Sequence, residues 1–107
     1  MKKYNLKDFN KGWFIGNFSP TILNTTNFEI AIKYYKKGDF EDNHYHKQAI
    51  EYTIIIKGKV KMFDTVFKKG DIIQVYPYDK TSFTALSNTI TAVVKTPSVK
   101  NDKFIEK

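Results

Sequence analysis

Two histidines stand two positions apart in the stretch GDFEDNHYHKQAIEYTIIIKG, which runs from Gly38 to Gly58, and a glutamate follows five positions after the second. They are the only histidines in the chain, and there is no cysteine. Any transition metal must therefore be held by imidazole nitrogens and oxygen donors. Residues i and i+2 of a strand project from one face about 7 Å apart along the backbone, so His44 and His46 can converge on one point. Glu51 lies at an odd offset from His46, which would place it on the opposite face of an unbroken strand. It joins the histidines only if the chain turns between them, and KQAI (47–50) is the place for that turn. Two imidazoles and a carboxylate from neighbouring strands are the donors of a facial triad, suited to divalent Fe, Mn, Ni or Zn and leaving positions open for water or a ligand. The competing reading is a pair of histidines on a solvated polar face or acting as acid–base groups.

The elements that must position these residues read as strands. No segment sustains an apolar period of 3.6, whereas short runs rich in Ile, Val, Thr, Tyr and Phe recur between turn signals. The predicted strands are 27–35, 43–47, 51–58, 59–63, 65–69, 71–77, 82–86 and 89–97, which makes the chain all-β, an antiparallel sandwich or closed barrel. KKGD occurs twice, at Lys36 to Asp39 and Lys68 to Asp71. In each copy the glycine supplies the positive φ of a turn and the aspartate is placed to bond local backbone amides. One domain is expected over 1–107, with a core barrel at 27–97, an aromatic lead-in at 1–26 and a tail at 98–107. Within the lead-in, Trp13 and Phe14 read as core or interface aromatics, with a place lining the barrel mouth as the second reading. EYTIIIKG is apolar on both faces, so each needs cover. A second copy of the chain on the outer face, in a symmetric homodimer, is one solution, and the chain's own N-terminal segment is the other.

Composition narrows the function classes. The chain has 107 residues with 41% hydrophobic and 16% aromatic content, enough for a folded core. Its formal net charge is +7, yet all 18 basic residues are lysine. An interface for nucleic acid would be expected to use the guanidinium forks that phosphate and guanine recognition favours, so nucleic-acid binding is not expected. The lack of cysteine and of a signal-peptide pattern fits a cytoplasmic protein. No apolar run approaches the roughly 20 residues of a membrane span.

The spacing of Gly38, His44, His46, Glu51 and Gly58 resembles the first signature motif of the cupin superfamily, with every defined position matched. The resemblance implies an antiparallel jelly-roll barrel, the double-stranded β-helix, with His44, His46 and Glu51 as ligands of a divalent metal. The second cupin motif resembles GDIIQVYPYDKTSFTAL in Gly70, Asp71 and Pro77, but Thr81 stands where the family has its further histidine. The implied site thus has three protein ligands. Gln74, Tyr76 and Asp79 are the nearby residues able to lend oxygen, and Gln74, Tyr76 and Thr81 are the expected ligand contacts.

Three functions follow from the resemblance. In the first, the metal and a small oxygenated molecule share the barrel. The second is metal-free acid–base chemistry resembling that of sugar-nucleotide isomerase and epimerase cupins. It would use His44 or His46 as base, Tyr52 or another of Tyr35, Tyr45 and Tyr76 as acid, and lysines such as Lys33 for a carbohydrate-linked diphosphate. The third is a barrel that binds a small ligand without turning it over.

Overall fold

The turns fix the strand ends. In the computed structural model, which describes residues 1–106, both KKGD copies form the same closed turn. Lys36 N–H donates to Asp39 Oδ2 at 2.7 Å and Asp39 N–H returns to the Lys36 carbonyl at 2.9 Å. Lys68 and Asp71 repeat this at 2.8 and 2.9 Å. Gly38 and Gly70 take φ of 94° and 93°, a region that penalises any side chain. A third turn of this design spans Tyr76 to Asp79.

Ten strands result: β1 (Trp13–Ile15), β2 (Glu29–Tyr35), β3 (Phe40–Tyr45), β4 (Ile50–Lys57), β5 (Lys59–Met62), β6 (Thr65–Lys68), β7 (Ile72–Val75), β8 (Thr81–Ala85), β9 (Thr89–Thr96) and β10 (Phe104–Ile105). They pair antiparallel in two five-stranded sheets, ordered β1-β2-β9-β4-β7 and β10-β3-β8-β5-β6. This is the expected jelly roll. The eight predicted strands correspond to β2 through β9, and β1 and β10 add one edge strand to each sheet from the flanks. No helix among the described residues is long and apolar enough to cross a membrane.

Between the sheets the interior changes character along its length. At one end Ile55, Val60, Met62, Ile73, Val75, Phe83 and Ala85 form the apolar core. The inward residues of β4 run Glu51, Thr53, Ile55, from polar to apolar, because alternate residues share a face. Those of β2 include Lys33 and Tyr35, and those of β9 include Thr91, Val93 and Lys95, which line a cavity between the sheets. The polar end of the barrel is therefore hollow and the apolar end is filled.

The outer face of the first sheet is the more apolar one. Its residues fall in cross-strand rows, Ile30, Val94 and Tyr52 in one and Ile32, Ala92, Ile54 and Ile72 in the next. Ile72, Tyr34 and Ile56 are 66%, 68% and 46% exposed. The N-terminal segment does not cover them all: its strand β1 sits beside β2 at the sheet edge. Gly12, at φ 82°, brings that strand in, since a Cβ there would stand 1.9 Å from the Ile32 carbonyl oxygen. Trp13 is positioned by this close approach.

Candidate functional site

The two histidines reach the cavity by different means. β3 ends at Tyr45, so His44 is a strand residue while His46 lies just past the strand end, before the bend at Lys47 and Gln48. This corrects the expectation of one strand carrying both. The pairing of β3 with β8 slips between Glu41 and His44, which allows two residues three apart to face the same cavity. Glu51 arrives from the opposite sheet, after the bend expected at 47–50. The histidine rings end 5.8 Å apart at 75°, and His46 Nε2 faces Glu51 Oε1 at 3.6 Å.

Each imidazole is oriented through its Nδ1. His44 Nδ1 is bonded to the Asp42 carbonyl at 2.8 Å and His46 Nδ1 to the Asp102 carbonyl at 2.7 Å. A carbonyl only accepts, so Nδ1 carries a proton in both rings and Nε2 is the atom turned toward the cavity. His46 is buried, and its Nε2 has no hydrogen-bond partner. Buried polar atoms rarely go unpaired. Glu51 is held by Thr53, whose hydroxyl donates to Oε2 at 3.1 Å. Burial alone would raise the Glu51 carboxyl, but the adjoining His46 imidazole, Lys95 and Thr53 outweigh it and hold the group below the usual glutamate range. Glu51 is therefore a carboxylate at neutral pH. His44 is kept below the usual imidazole range by burial, reinforced by Lys103 and opposed by its bond to the Asp42 carbonyl.

Among the described residues no three His, Cys, Asp or Glu side chains stand close enough to form a ready metal cluster. The fit is thus with a pair first. A nitrogen and an oxygen on one tetrahedral ion at about 2.1 Å stand about 3.4 Å apart, close to the 3.6 Å between His46 Nε2 and Glu51 Oε1. The orphaned Nε2, the ionised carboxylate opposite and the neutral His44 lining the same cavity suit a divalent cation in chemistry.

Other expected contacts fall elsewhere. Tyr52 adjoins Glu51 in β4 and so points out of the barrel, where Gln74 Nε2 donates to its hydroxyl at 2.9 Å. Gln74 in turn accepts from the Tyr76 hydroxyl at 2.9 Å. Tyr52, Gln74 and Tyr76 form a chain on the outer surface and do not touch the cavity. Thr81 is buried, but its hydroxyl accepts from Phe63 N–H and donates to the Ser82 carbonyl, at 2.9 and 2.7 Å. It is absorbed by the backbone and does not stand in for a ligand. Asp79 is engaged in its own turn. Of the four candidate tyrosine acids only Tyr35 lines the cavity. Burial, then the charges of Glu41 and Glu51, push it well above the usual tyrosine range. Tyr45 stacks between Tyr78 and Phe104.

Asp102 has no signal in the sequence, whereas Trp13 takes the second of its two expected places, lining the barrel mouth. Asp102, in the predicted tail, gives its carbonyl to His46, and its carboxylate accepts from the N–H groups of Lys47, Gln48 and Ala49 at 2.9 to 3.2 Å. Trp13 lines the cavity, with the amines of Lys33 and Lys95 over its ring at 5.2 and 5.0 Å. The cavity holds about 220 Å³. A larger one of about 760 Å³ adjoins it, between the N-terminal turns, β2 and the start of β3, and shares Lys11, Lys33, Tyr35 and Glu41 with it. It contains neither histidine.

No protein-family model matches the sequence, and no curated protein does either. Solved structures do. An uncharacterised conserved protein with a double-stranded β-helix domain from Klebsiella pneumoniae superposes with a TM-score of 0.70 at 19% identity, over 78% of this chain and 74% of that one. An RmlC-like cupin from Shewanella frigidimarina gives 0.62 at 17%, over 72% and 71%. The chain has the cupin fold. KdgF from Halomonas gives 0.65 at 13% identity, over 72% and 76%. At these identities the likeness is one of architecture, and the chemistry of this cupin barrel rests on its own residues.

Proposed function

We propose that this cupin barrel binds a divalent cation on His44, His46 and Glu51, and beside it a small oxygenated molecule. The observation that carries the reading is the buried, unpartnered His46 Nε2 facing an ionised Glu51 at 3.6 Å. A cation would satisfy both groups. It would supply Lewis acidity toward a carbonyl or hydroxyl oxygen. The chain's own residues orient the imidazoles, keep Glu51 ionised and, through Tyr35, Met62 and Phe83, wall off one side of the cavity from water. Fe, Mn, Ni and Zn all accept this donor set.

The space around the histidines is about 220 Å³, under the usual range of roughly 300–1,000 Å³ for sites that enclose drug-sized ligands, and it suits a small molecule. We further propose that a second copy of the chain covers the outer face of Ile30, Ile32, Tyr34, Ile54, Ile56 and Ile72, because so broad an apolar face is uncommon on monomers.

The experiment is metal analysis of untagged protein, before and after incubation with each ion, beside a His44→Ala/His46→Ala double variant. About one ion per chain, absent from the folded variant, is the expected result. A wild type that takes up none of the four ions after reconstitution defeats the metal reading.

A further inference from the structure

The cavity wall carries more positive charge than its acids balance. Lys11, Lys33, Lys95 and Lys103 face it, against Glu41 and Glu51. Lys103 is paired with Glu41 at 3.8 Å. Lys33 and Lys95 are not within 4.0 Å of any carboxylate among the described residues. Both amines stand over the ring of Trp13. Lysine amines seldom sit this way inside a barrel, because withdrawing unpaired charge from water is unfavourable and like charges repel. Lys33 registers this: burial first, then Lys95, Lys103 and Lys11, lower its affinity for a proton, with Glu41 opposing.

We propose that Lys33 and Lys95 form the recognition site for the carboxylate of a small organic acid, with Trp13 as the platform beneath it. This rests on the reading above only for the other end of the ligand, whose hydroxyl or keto oxygen would face His44, His46 and Glu51. A lysine ammonium donates charge-assisted hydrogen bonds to a carboxylate oxygen. The space of about 220 Å³ around these residues suits a small acid.

Trp13 is the only tryptophan, so its emission reports directly on the amines above it. The experiment titrates metal-stripped protein at constant ionic strength with pyruvate and glycolate, and separately with pyruvamide and glycolamide. Wild type is compared with Lys33→Met and Lys95→Met, in which methionine keeps an apolar stem against the ring. A saturable change in Trp13 emission with an acid, absent with its amide and weakened about tenfold or more in each variant, is expected. An equal response to the amides, no saturable response to either acid, or acid binding unaltered in both variants overturns the proposal. Circular dichroism of each variant establishes folding, and the two substitutions give independent readings. Metal analysis separates the two claims. Acid binding without metal uptake removes the metal reading and leaves this one standing, and metal uptake without an acid response does the reverse.

Discussion

Asp102 holds His46 through its main chain, at 2.7 Å from carbonyl to Nδ1, and holds the backbone that follows His46 through its carboxylate. One residue thus fixes both the ring and the bend that returns the chain to Glu51. Asp102→Ala leaves three N–H groups without their acceptor and is expected to destabilise the protein by about 2–4 kcal/mol. It should also lower metal affinity about 10- to 100-fold, as for other groups behind metal ligands. Asp102→Asn keeps one oxygen and should lose about half as much stability. Urea unfolding and a competitive metal titration measure both. An alanine variant as stable as wild type would contradict the clamp.

The neutral His44 makes stability depend on pH. Its proton affinity in the folded state is depressed by burial and then by Lys103, while Asp42, Glu41 and Glu51 pull the other way. Below the ordinary imidazole value near 6.5 the unfolded chain therefore binds a proton that the folded chain refuses. The stabilising contribution is complete above that value and is lost as pH falls through the lower, folded one. The urea midpoint of metal-free protein should drop between about pH 7.5 and 5.5, with a shallower drop in His44→Ala. Identical slopes in the two proteins would rule His44 out as the source.

Oligomeric state tests the outer face. Ile72 and Tyr34 lie at opposite sides of it and are largely exposed in one chain. Sedimentation should give a dimer for wild type and a monomer for Ile72→Lys/Tyr34→Lys, with circular dichroism unchanged. Both side chains point away from the cavity, so metal uptake per chain should persist. A monomeric wild type at micromolar concentration would show that the face is left bare.

Lys33→Met should stabilise the unliganded protein even as it weakens acid binding, because it removes an amine that burial and three neighbouring lysines disfavour. The expected gain is up to about 1 kcal/mol, or roughly 4–8 °C in Tm for a domain of this size. Binding sites commonly trade stability in this way. A lower Tm would mean that the cation over Trp13 holds the fold together.

His44, Glu51 and the turn between them were legible because spacing, parity and glycine placement are local properties. Asp39 and Asp71 closed their turns as expected for the same reason. Tyr52, Gln74 and Tyr76 lie near the site along the chain, yet parity turns them outward: Tyr52 neighbours an inward residue, and Gln74 neighbours Val75, the cross-strand partner of Glu51. Lys33 is named from the sequence only as one of several lysines, and Lys95 not at all, for a different reason. Strand β2 alternates cleanly, but its apolar residues Ile30 and Ile32 face outward while Lys33 faces in, reversing the ordinary rule for a half-buried strand. Trp13 and Asp102 depend on contacts with residues far away in sequence, which no local pattern encodes.

The separation of His46 and Asp102 by 56 residues also sets an order of events during synthesis. At about 5–20 residues per second, the histidine leads its carbonyl partner by roughly 3–11 s. In that interval the imidazole turns freely and the three amides after it lack their acceptor. A stalled or truncated chain carries the whole His-x-His and Glu51 pattern with no fixed tautomer at His46. The His46 ring is thus set, and the proposed ion site completed, only once the last long strand and the segment beyond it are in place.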